Sequence, residues 1–200
     1  MSAVKLDYAF PVSKNGLFET GYKGIFRGID PDFKTSGFIN NVYVINKAVS
    51  NIFNFDEQVH VGYALYSSSF GGVEDKAWKY DLGLRAEEVV NHGNTQNNST
   101  KFSNQYLKLF PRASLMYHKK PDEYWKLSYG KRINRPGLGQ LNPFVDITDS
   151  LNPHGGNTNL KPEIIHAIEW GFNKEWSKLS FSSNLFYRYA INTIRHFLEL

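Results

Sequence analysis

A chain of 200 residues with 41% hydrophobic side chains suits one domain or a piece of a larger one, and is too apolar to be wholly disordered. Its 23 basic and 19 acidic residues are spread along the chain to a net charge of +4, and no Lys/Arg block marks a nucleic-acid-binding surface. No apolar run reaches the ~18 residues of a spanning helix; the mean hydropathy of -0.45 says nothing against a β-barrel, in which only alternate strand residues meet lipid.

Cysteine is absent, which excludes disulfides, thiolate metal sites and cysteine nucleophiles. The 15 Phe, 12 Tyr and 4 Trp raise the aromatic share to 16%, a composition suited to strands and membrane interfaces. Period-two alternation dominates throughout and predicts eight strands, near 3–10, 17–29, 55–68, 77–90, 108–118, 124–135, 163–176 and 179–191. The first lacks the long apolar core of a secretory signal and sets Val4, Leu6, Tyr8 and Phe10 on one face. After the second, the 38–49 stretch "FINNVYVINKAV" is apolar enough for a hairpin arm or strand of its own.

In "VHVGYALY" Val59, Val61, Tyr63 and Leu65 share a face opposite His60, Gly62 and Ala64. "AWKYDLGLRAEE" separates Trp78, Tyr80, Leu82, Leu84 and Ala86 from Lys79, Asp81, Gly83, Arg85 and Glu87, so one face is greasy and the other charged. The polar tract "NHGNTQNNSTK" reads as a surface loop. "EYWKLSYGKRI" sets Trp125, Leu127, Tyr129 and Ile133 against Lys126, Ser128, Gly130 and Arg132. In "NPHGGNTNLKPEI" Pro162 holds Lys161 extended and is tolerated at a strand start, so the loop ends there and Glu163 begins the next strand. The last strand gathers Leu179, Phe181, Leu185, Tyr187, Tyr189 and Ile191.

Short connections ("PVSKNG", "SSFGGVEDK", "KKPDE", Ser177–Lys178) alternate with long ones around 30–54, 91–107 and 136–162. Barrels of the outer membrane have short periplasmic turns and long outer loops. The expected fold is therefore all-β: an antiparallel up-and-down meander of about eight strands, forming an open, curved sheet that is part of a transmembrane barrel. A soluble all-β carbohydrate-binding module is the competing class, and it requires the greasy faces to meet in one core.

The six histidines, His60, His92, His118, His154, His166 and His196, are dispersed without metal-ligand spacing, and no GxSxG nucleophile elbow occurs. Neither enzyme activity nor a cofactor is expected; an outer-membrane barrel enzyme would need a rim triad that the sequence does not display. Asp81, Arg85, Glu87, Lys126, Arg132 and Arg188 are candidate lumen-facing residues, able to touch a plug or substrate or simply to pair across strands in a hydrated interior. Trp78, Trp125, Trp170 and Trp176 read as interface anchors, with ligand stacking the alternative. In "RINRPGLGQLNPF", Arg132 and Arg135 are placed either to bind an anionic ligand or where a strand end folds into a loop.

"GNTNLKPE" resembles the "GNPNLKPE" signature of TonB-dependent outer-membrane receptors, with Thr158 where that family often has proline. The matching positions are Asn157, Asn159, Leu160, Lys161, Pro162 and Glu163. "YDLGLRAEE", "LFPRASLMY" and "LSYGKRINRPGLGQLNPFVD", the last contributing Arg132, Arg135, Pro136, Asn142 and Pro143, are similar to further barrel blocks of these receptors, and the ordered series spans about Ala77 to Tyr189. The resemblance implies a plugged barrel of about 22 strands in the Gram-negative outer membrane, importing a scarce ligand with energy from the TonB complex. It implies outer-membrane lipid, a plug domain and the TonB complex as partners of the full-length parent. Residues 1–200 are then expected to be barrel only, a fragment without plug domain or signal peptide.

Overall fold

The computed structural model describes residues 1–30, 32–34, 36–46, 50–71, 76–95, 101–146 and 153–195; of the histidines considered above, His196 lies outside them. The strands are β1 (Ser2–Ser13), β2 (Gly16–Ile29), the short β3 (Asp32–Phe33), β4 (Ser36–Ile39) and β5 (Val42–Ile45), then β6 (Asn51–Phe70), β7 (Ala77–Thr95), β8 (Lys101–Lys120) and β9 (Glu123–Asn134). A single helical turn, α1 (Leu138–Leu141), precedes β10 (Glu163–Trp176) and β11 (Leu179–Ile191).

Eight strands form one antiparallel sheet in the order β1-β2-β6-β7-β8-β9-β10-β11, so each pairs with its neighbour in an up-and-down meander, and β3 adds a short rung to β6. The β4–β5 hairpin forms the arm expected in the first long connection. β1 and β11 are not paired with each other, so among the described residues the sheet is open. The turns at Lys14–Asn15, Pro121–Asp122 and Ser177–Lys178 lie at one end, together with the β6–β7 connection, and the long connections lie at the other.

Two expected boundaries move. β7 continues to Thr95 and β8 begins at Lys101, so most of the polar tract expected to be a loop is ladder, with His92 opposite Ser103 and Asn91 opposite Asn104. The reason is tertiary: Val89, Asn91 and Thr95 are buried on one face of the sheet, which offsets the turn-forming composition. The second long connection thereby shrinks to 96–100, outside the described residues.

Residues directly opposite in an antiparallel ladder share a face. One row across all eight strands reads Phe10, Phe18, Tyr66, Leu82, Ala113, Tyr129, Ile168 and Tyr187; the adjacent row, on the other face, reads Ala9, Glu19, Leu65, Gly83, Arg112, Gly130, Ala167 and Arg188. β6 departs from its neighbours: Val59, Val61, Tyr63 and Leu65 stand opposite Val89, Glu87, Arg85 and Gly83, so its more hydrophobic set lies on the charged face. Pro111 lies inside β8, and the β8–β9 ladder stops at Arg112–Gly130, beside a residue that has no amide to donate.

Candidate functional site

Among the described residues no second layer packs against the apolar face. Leu6, Leu82, Leu107 and Leu185 are all more than half exposed, as is Tyr187 at the β11 edge. A soluble module would hide this surface in a core, so that reading is overturned. Near the short-turn end the face carries a nearly continuous aromatic belt. Phe10 touches Phe18, which pairs with Tyr66; from there ring contacts run through Tyr80, Phe70, Trp78, Tyr117, Trp125 and Phe172 to Phe181. Amphipathic rings favour the headgroup level. Trp78 and Trp125 belong to this belt, Trp176 lies beyond it toward the turn, and Trp170 lies one row inward beside Leu127 and Leu185. Two tyrosine–histidine hydrogen bonds mark the same face farther up, Tyr22 with His60 at 2.6 Å and Tyr129 with His166 at 2.9 Å.

Just past the belt at the turn end, Glu123 lies between Lys174 (3.0 Å) and Lys119 (3.5 Å). The hydrogen bond from Lys174, helped by the charge of Lys119, holds the Glu123 carboxyl below its ordinary range. This clasp ties the β8–β9 turn to β10, where the Glu175 amide also donates to the Asp122 carbonyl at 2.8 Å.

The register brings Asp81, Arg85, Glu87, Lys126, Arg132 and Arg188 onto the opposite face. Asp81 accepts a hydrogen bond from Ser114 at 2.7 Å, and Arg188 pairs with Glu169 at 3.7 Å. Arg85 covers the Phe110 ring and approaches Glu87 at 3.9 Å. At the β1–β2 edge Tyr63 donates to Asp7 at 2.6 Å, and Lys5 pairs with the same carboxylate. Among the described residues no three His, Asp or Glu side chains come together as metal ligands.

The "LNPF" and "GNTNLKPE" segments, separate in the chain, dock on each other above this face. The amides of Gly156 and Asn157 donate to the carbonyls of Asn142 and Gln140, each at 2.7 Å. A Cβ on Gly156 would stand 2.4 Å from the Gln140 oxygen, so the approach requires glycine. The side chains brace the loop from inside: Asn142 Oδ1 accepts from the Phe144 amide and Asn157 Oδ1 from the Asn159 amide. Gln140 Oε1 accepts from the Gly137 amide, closing the α1 turn that follows Pro136. Lys161 and Pro162 then lead into β10, which begins at Glu163 as expected; the Glu163 carboxylate accepts from Asn134 on β9 at 3.0 Å.

The docked loop lies on the charged face at its long-loop end. Leu141 is buried with Phe53 and Phe55, and Leu138, Leu160 and Phe102 pack around them. Arg135 reaches down to ion-pair with Glu87, which is 2% exposed. Arg135 stands where β9 folds into the loop, and there its guanidinium is paired with the Glu87 carboxylate. Arg132, three residues earlier, points onto the open part of the face and makes no ion pair among the described residues. Phe53, Phe55 and Phe102 were not singled out beforehand. Their only signal is that aromatic residues alternate toward the charged face at the long-loop end of β6 and β8.

An antiparallel meander with one bare apolar face, an aromatic belt at its turn end and charges on the other face defines an integral β-barrel wall of the outer membrane. The chain belongs to the outer membrane protein beta-barrel family, whose model matches residues 1–198. That family places the protein in the outer membrane of Gram-negative bacteria. No curated protein matches the chain.

Proposed function

We propose that this chain supplies part of the barrel wall of a TonB-dependent receptor, in which a plug domain sits against the charged face and a scarce ligand crosses with energy from the TonB complex. The protein acts as a transporter wall and not as an enzyme. The observation that carries the reading is the docking of the "LNPF" and "GNTNLKPE" segments into one inward-folded unit latched by Arg135 and Glu87. A loop fixed over the charged face narrows the mouth of a wide pore, which is useful where ligand access and plug seating must be controlled and serves no purpose in a side-chain-filled small barrel. The test is binding of the purified periplasmic domain of TonB to the complete protein in neutral detergent. A saturable complex is expected, and its absence overturns the receptor reading while leaving the barrel itself untouched.

A further inference from the structure

Midway along the charged face, between the loop latch and the turn end, lies a hollow of about 590 Å³. That size is typical of small-molecule sites, which run from about 300 to 1,000 Å³. Its floor is set by register: Gly83 on β7 and Gly130 on β9 flank Arg112 on β8 directly, and Ser114 and Ser128 form the next rung. Arg112 folds over Gly83, where a Cβ would stand 2.9 Å from its Cγ, while the space above Gly130 is empty to 4 Å. Glycine on both sides thus gives the arginine room and leaves a depression beside it.

The walls are basic. Arg85, Arg112, Lys126, Lys131 and Arg132 surround the hollow, against the two acids Asp81 and Glu169. Both acids are engaged, Asp81 by Ser114 and Glu169 by Arg188. Among the described residues Arg112, Lys126, Lys131 and Arg132 make no ion pair, and Arg85 keeps a buried Nε without a partner. A concave wall with one sign of charge concentrates counter-ions, and guanidinium forks match oxyanion geometry.

We propose that this hollow is a binding site for a small phosphate-bearing solute, held by Arg112 and Arg132 above the glycine floor. The inference stands on the wall geometry and does not depend on TonB coupling. It is tested by calorimetric titration of inorganic phosphate, at low ionic strength, into the complete protein extracted from the outer membrane in neutral detergent. Saturable one-site binding is expected, with Arg112→Gln and Arg132→Gln each weakening it at least tenfold. Lys23→Gln, a cation on the same face outside the hollow, should change it less than twofold. Gly130→Asp puts a carboxylate into the empty space and should abolish binding while the protein keeps its native heat-modified mobility. No saturable binding, as when carboxylates of another segment fill the hollow, overturns the proposal. So does equal weakening by Lys23→Gln, or tighter binding of citrate than of phosphate. Phosphate binding without TonB binding would sink only the receptor reading, and the reverse only this one.

Discussion

Glu87 shows how one buried charge can organise a loop 48 residues away. Its carboxylate is removed from water and faces two guanidinium groups, those of Arg135 and Arg85, so deleting it leaves two cations in a half-buried site. Breaking such a pair costs about 3 kcal/mol, and Glu87→Ala should lower the urea midpoint of the protein in lipid vesicles accordingly. The same variant should expose the 135–162 loop to added protease; an unchanged cleavage pattern would mean that the Arg135–Glu87 pair does not hold the loop down. Gly156→Ala should release the loop as well, because its methyl group meets the Gln140 carbonyl, and limited proteolysis reads this without touching any charge. Glu123 makes an opposite kind of contribution at the periplasmic end. Its carboxyl is held below its ordinary value, so the clasp is fully formed above the unfolded carboxylate range and is lost as pH falls through the lowered folded value. Stability should therefore drop on acidification below about pH 4, and Glu123→Gln should flatten that part of the pH profile. An identical acid limb in the variant would mean that other carboxylates set it.

At the scale of the strand, the informative quantity is which face a residue takes. Leu82 is 54% exposed on the bare apolar face, and Gly83 is its neighbour on the charged one. Leu82→Arg should cost about 2–4 kcal/mol, the value for a cation turned to lipid near mid-bilayer. Gly83→Ser only displaces the flexible Arg112 chain and should be milder. Folding yields into vesicles compare the two, and equal losses would mean that the faces are assigned the wrong way round. Alternation made this contrast legible on β7, β9, β10 and β11. On β6 it misleads, because Val59 faces the buried Val89 and Tyr63 reaches across to Asp7 on β1, so hydrophobic residues there serve contacts along the inner wall. Hydropathy alone cannot tell a lipid contact from a buried contact under a loop.

For the molecule as a whole the edges decide. β1 pairs only with β2 and β11 only with β10 among the described residues, and β1 is exposed along its entire length. Backbone groups on such edges have no partner in hydrocarbon, at a cost of several kcal/mol for each group. The 200-residue chain refolded alone in liposomes should therefore lack the heat-modifiable mobility and protease resistance of a closed barrel. A compact, heat-modifiable monomer would show that β1 and β11 close on each other after all. A barrel that satisfies both edges would turn the charged face inward, where the hollow and the latched loop become parts of one lumen.

The order of strands, their up-and-down course and the start of β10 at Glu163 were legible in the sequence, because period-two alternation and the Lys-Pro step are local constraints on the backbone. So was the bare apolar face, since lipid selects side chains one residue at a time. The length of β7 and β8, the turning of the β6 stripe inward, the pairing of Arg135 with Glu87 and the glycine-floored hollow were decided only in the tertiary structure. Each depends on register between strands or on a loop folding back across many residues, and neither leaves a periodic trace in the chain.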